Sequence, residues 1–155
     1  MDAAAAGAAD LMAALNEAVV DFQSYGYDQF LAHQSAVTPR YGGIMPPAAQ
    51  AHVSVGVSFD LVGGARPDGR REARVSVQVG LRDGMFVVAG EAGVDAPGYS
   101  DELWELLREL PEVAVQDLDE CVALIRDYTA RLCAYTDFLD GIGVPRTSER
   151  PGRAS

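Results

Sequence analysis

The stretch VQVGLRDGMFVVAG, residues 77–90, decides the fold. Asp83-Gly84 at its centre is the strongest short signal for a two-residue hairpin, whose type I′ turn needs positive φ at both positions. Anchored there, the expected register pairs Arg82 with Met85, Leu81 with Phe86 and Val79 with Val88. Val75, Val77, Val79 and Leu81 then share a face with Phe86, Val88, Gly90 and Ala92. Upstream, HVSVGVSFDLV (52–62) alternates in the same way, with Val53, Val55, Val57, Phe59 and Leu61 on one side. The opposite face of these three strands carries Ser54, Ser58, Asp60, Arg74, Ser76, Gln78, Val87, Ala89 and Glu91. It is small and polar, so by default it meets water.

Helical patterns flank the strands. Leu11, Leu15, Ala18, Val19 and Phe22 follow a 3.6-residue period. SYGYD (24–28) interrupts that pattern before a second helical piece, YDQFLAHQSAV. TPRYGGIMPPAAQ (38–50) reads as a loop, because Pro restricts its own backbone and its predecessor's, while Gly42-Gly43 loosens the chain. After the strands, Ser100 is placed to cap a helix, DELWELLREL, with Leu103, Leu106, Leu107 and Leu110 as its stripe and Pro111 as its end. Asp117 with Glu120 resembles a capping box. It opens a long helix whose apolar side includes Cys121, Val122, Ile125, Tyr128, Leu132, Tyr135 and Leu139, and which Gly141 terminates. The expected architecture is α+β: an N-terminal helical segment, an antiparallel meander of about three strands, and two C-terminal helices packed on one sheet face. Residues 1–143 are expected to form one domain and 144–155 a flexible tail.

Composition narrows the activity. The chain has 155 residues, a formal charge of −11 and no Lys, so every basic side chain is Arg. Such a charge disfavours nucleic acid and anionic membrane surfaces. The N-terminus lacks the charged flank and apolar run of a signal peptide, and no stretch reads as the ~20 apolar residues that span a bilayer. Cys121 and Cys133 lie in one expected helix, about 18 Å apart along its axis, too far for a disulfide. A reduced, cytoplasmic protein is expected.

The search for chemistry yields little. His33 and His52 are the only histidines and belong to no ligand-spaced cluster, so neither a metal nor a cofactor is expected. Cys121 lies on an apolar stripe, where a thiol behaves as a small hydrophobe. Asp60 and Glu91 are the one conceivable carboxylate pair. Charge is more informative: residues 101–140 hold eleven carboxylates against Arg108, Arg126 and Arg131. The leading expectation is a small non-catalytic interaction module of the immunity, chaperone or assembly-partner type, which docks a basic protein partner. Trp104, Glu105, Asp119, Glu120, Asp127 and Asp137 are the candidate contact residues. The alternative is a small-molecule binder or enzyme with a pocket between sheet and helices, and RYGGIMPP as its lid. A homodimer is compatible with both.

Overall fold

Asp83 and Gly84 adopt φ of 54° and 76°, as a type I′ turn demands. The ribbon they close has the expected register, with Arg82 opposite Met85, Leu81 opposite Phe86 and Val79 opposite Val88. This ribbon is the centre of a computed structural model that describes residues 2–34, 36–45, 52–62, 70–95 and 104–147. The protein is α+β, with an N-terminal helix, a five-stranded antiparallel sheet and C-terminal helices. The chain order is α1 (Ala3–Ala32), β1 (Val37–Met45), β2 (His52–Val62), β3 (Arg70–Arg82), β4 (Met85–Asp95), β5 (Trp104–Val115), α2 (Leu118–Cys133) and α3 (Phe138–Gly141). Each strand pairs with the next, so the sheet is a simple meander.

Two strands replace elements expected to be otherwise. Residues 37–45 form edge strand β1 rather than a loop. Pro39 is tolerated there because an edge strand has one row of N–H groups without ladder partners, and Gly42-Gly43 sits in a bulge between Tyr41 and Ile44. Residues 46–51 lie outside the described residues. The expected helix over 101–110 is also overturned, since residues 104–115 form the opposite edge strand, β5. Its ladder against β4 slips twice, once between Val88 and Gly90 and once between Ala92 and Gly93. Each slip adds a residue to β5, so Arg108, Leu110, Val113 and Val115 face the helices at steps of 2, 3 and 2. Of the leucines behind the helical expectation, Leu106 and Leu107 are exposed and Leu110 is buried, and Leu and Glu, both good helix formers, made the strand read as a helix. Residues 101–103 and the Ser100 cap lie outside the described residues.

Both long helices cover the apolar face. Phe22, Val55, Val57, Phe59, Val75, Val77, Val88, Ile125 and Leu132 form one core with exposures of 0–1%. α1 continues through Gly26 without a break and buries Leu15, Ala18, Phe22, Tyr25 and Gln29. The Tyr25 ring meets Phe59 edge-on, with centroids 6.4 Å apart. α1 is also a helix long and apolar enough to cross a membrane, by length and composition alone. α2 lies alongside α1 and parallel to it: Gly7 abuts Leu118, Glu17 pairs with Arg126, and Gln29 reaches Thr136.

Asp117 caps α2 as expected, accepting from the N–H of Asp119. The helix does not run on to Gly141, however, but stops at Cys133. At 100° per residue, an unbroken helix would carry Phe138 to the outward side beside Glu120. The break instead lets both Phe138 and Leu139 enter the core at 0% exposure. Residues 144–147, expected to open a tail, fold back on the end of α1. Val144 is buried, and the carbonyl of Pro145 accepts a hydrogen bond from Nδ1–H of the fully buried His33 at 3.0 Å. Thr147 Oγ1 accepts from the Gln34 N–H.

Candidate interaction site

α1 has an outward face as well as a buried one. Met12, Asn16, Val20, Gln23, Tyr27 and Leu31 recur at steps of four or three and are all exposed. The four large apolar members are 44–63% exposed. This stripe runs about 28 Å along the helix, at 1.5 Å per residue, without a charge. A globular helix ordinarily turns polar residues outward, so the stripe calls for an explanation. Other large exposed apolar side chains, Leu81, Leu106 and Leu107, lie on β3 and β5.

The flank of α1 that faces α2 is acidic. Asp10, Glu17, Asp21 and Asp28 recur at steps of 7, 4 and 7, and residues 2–32 contain no Arg or Lys. Glu17 is bridged to Arg126 of α2 at 3.0 Å. Among the described residues neither Asp21 nor Asp28 has an ion-pair partner. They border a cavity of about 240 Å³ lined also by Ser24, Tyr25, Gln29, Cys133 and Thr136. It lies between α1 and the end of α2, whereas the expected pocket lay between sheet and helices.

Polar groups in this cavity are fixed by the backbone. The Tyr25 hydroxyl donates to the carbonyl of Tyr135 at 2.8 Å, and burial pushes its pKa upward. Gln29 Nε2 donates to the carbonyl of Thr136 at 3.2 Å, which sets the amide's orientation and leaves Oε1 buried without a partner. The Cys133 thiol is pushed up to about 12 by burial and then by the Asp21 carboxylate. It is neutral at pH 7 and no nucleophile. Cys121, fully buried on α2, is likewise shifted upward by burial.

The expected contact residues are scattered. Asp119 and Glu120 are exposed in the first turn of α2. Asp127, exposed two turns after Glu120, pairs with Arg131 at 3.4 Å. Asp137 is exposed just before α3, and Glu105 is exposed on β5, on the far edge of the sheet. The backbone of Trp104 pairs with Asp95, and its side chain lies outside the described set. Asp60 and Glu91 do not form a carboxylate pair, because β3 separates their strands and they lie at different levels, Asp60 opposite Glu72 and Glu91 opposite Ser76; Glu91 meets Arg74 at 3.8 Å. Among the described residues no three His, Cys, Asp or Glu side chains are grouped to hold a metal ion. The sequence reading missed Asp21, Asp28 and Gln29. The one available signal was the run of acids at steps of 7, 4 and 7 in a helix without a single base.

The chain matches no family model, no curated protein and no solved structure.

Proposed function

We propose that the protein is a non-catalytic, acidic interaction module that receives a basic and partly apolar segment of another protein on its helical layer. The observation that carries this reading is the uncharged outward stripe of α1 beside a row of carboxylates. An apolar stripe gives a partner area to bury, and the acids select a partner of opposite charge and speed its approach. Glu120 and Asp127 on the outward side of α2 extend the same negative surface.

The test compares the wild type with a Tyr27→Glu/Leu31→Glu variant. Both positions are exposed, so the variant keeps the wild-type melting temperature. A partner captured by the wild type is purified, and its affinity for both proteins is measured across salt concentrations. A salt-dependent interaction weakened at least about tenfold in the variant supports the reading. Equal affinities sink it. So does sedimentation showing a wild-type dimer that the variant abolishes, since a second copy would then cover the stripe.

A further inference from the structure

We propose that the cavity between α1 and the end of α2 is a receptor for one guanidinium group, the side chain of an arginine carried by the partner. This rests on the interaction reading above and adds the chemistry of its anchor. Three observations converge on a cation. The carboxylates of Asp21 and Asp28 stand at the cavity without an ion-pair partner among the described residues, two turns apart, or about 10 Å along the helix. Gln29 is 4% exposed, lines the same cavity, and has an oxygen that accepts no hydrogen bond. A buried acceptor left without a partner carries a desolvation cost, and a turn of the Gln29 side chain would bring this inaccessible oxygen to a ligand's N–H. Cys133 is the last residue of α2, so the cavity lies where the helix dipole is negative and attracts positive charge.

Basic side chains on the neighbouring elements are engaged elsewhere, Arg131 with Asp127. Arg126 is held by Glu17, one turn before Asp21, and Arg108 stacks over the Tyr135 ring at 4.2 Å. Neither lines the cavity. The volume of about 240 Å³ is below the 300–1,000 Å³ typical of drug-sized ligands and suits a single side chain. The spread of the acceptors favours guanidinium over ammonium. A planar fork with five N–H donors can meet two separated carboxylates and an amide oxygen, whereas a compact ammonium is a point charge. Guanidinium is also the more weakly hydrated, so it enters a cleft walled by Tyr25 and Cys133 at lower cost. Ser24 stands on α1 between the carboxylates and the apolar stripe. An arginine seated in the cavity would therefore lay its neighbours along Tyr27 and Leu31.

The experiment titrates the full chain with N-acetyl-L-arginine amide and follows the Gln29 side-chain amide by NMR. The neutral isostere N-acetyl-L-citrulline amide and the free amine spermidine are titrated in parallel. The expected result is a saturable shift with the arginine amide, no saturable shift with citrulline, and a dissociation constant raised at least about tenfold by Asp21→Asn/Asp28→Asn. Ser24→Arg, which sets an internal guanidinium at the rim, abolishes the response and provides a second variant should the first be poorly folded. The proposal is overturned if arginine amide and citrulline amide behave alike, or if either variant binds like the wild type. Tighter binding of spermidine than of the arginine amide would also overturn it, by making a free polyamine the occupant. The two readings fail separately. Partner binding lost in Tyr27→Glu/Leu31→Glu but kept in Asp21→Asn/Asp28→Asn removes the arginine site alone, while arginine binding without any partner effect removes the interaction module alone.

Discussion

Two glycines show how differently the same residue type is required. Gly84 has open space around it, but its φ of 76° is a conformation that side chains resist. Gly84→Val therefore destabilises through the backbone alone, by at least about 1 kcal/mol. An unchanged denaturation midpoint would mean that the turn is not type I′. Gly56 has no such φ but no room either, since a Cβ there would stand 2.1 Å from the carbonyl oxygen of Val75. Gly56→Ala forces β2 away from β3 and costs roughly 1–3 kcal/mol, a typical overpacking penalty. A midpoint within error of the wild type would count against the close approach. The thiols give a third check. Cys121 is fully buried and Cys133 is pushed up to about 12, so at pH 8 a disulfide-exchange reagent should leave both unmodified until denaturant is added. Rapid native labelling at either position would contradict the packing.

At the scale of elements, the edges of the sheet are fastened by side chains. The Tyr128 hydroxyl of α2 donates to the carbonyl of Pro111 and ties β5 to the helical layer. Tyr128→Phe should lower stability by about 1 kcal/mol, the net worth of one hydrogen bond. Amide exchange in β5 should quicken, and if exchange stays unchanged the tie is not holding that strand. The segment after α3 is held through Asp140, whose carboxyl is kept below its usual range by the hydrogen bond from Arg146, against the opposing effect of burial. His33 Nε2 lies 3.7 Å from the same carboxylate. A lowered folded-state pKa contributes stability above the unfolded value of about 4, and that contribution disappears as pH falls through the folded value. Asp140→Asn should thus be less stable than the wild type at pH 7, with the difference shrinking below about pH 4. A constant difference would dismiss the ion pair as its source. These edges are also where the sequence was hardest to read. The central ribbon was legible because Asp83-Gly84 fixes register and Val75 to Leu81 alternate without interruption. β1 and β5 were not, because bulges break the period of two and edge positions tolerate Pro39 and Pro111. The cavity was less legible still. Its walls come from residues 21–29 and 133–136, and no local pattern announces a meeting between segments so distant.

The whole molecule carries its charge unevenly. α1 is acidic without a compensating base, and α2 adds Asp119, Glu120 and Asp127 against Arg126 and Arg131. Replacing the three α2 acids by Asn, Gln and Asn should cost less than ~0.5 kcal/mol each, because all three are exposed. The same variant should associate with a basic partner more slowly and with a flatter dependence on salt. Equal rates at every salt concentration would leave those acids as a solubility feature. The parallel seating of the two helices reaches further, into the timing of folding. Neighbouring strands of a meander find each other over short loops, but Tyr25 and Tyr135 meet across 110 residues. Contacts of that sequence separation are expensive to form early. The sheet should accordingly organise first, with α1 and α2 closing over it late. Substitutions in the seam, such as Tyr25→Phe, should then hasten unfolding and leave the refolding rate nearly untouched, whereas Gly84→Val should slow refolding. During synthesis the consequence is sharper. α1 precedes every strand of the sheet, and although β1 and β2 can cover part of its inner face early, the flank that α2 seals stays open until residues 118–133 have followed.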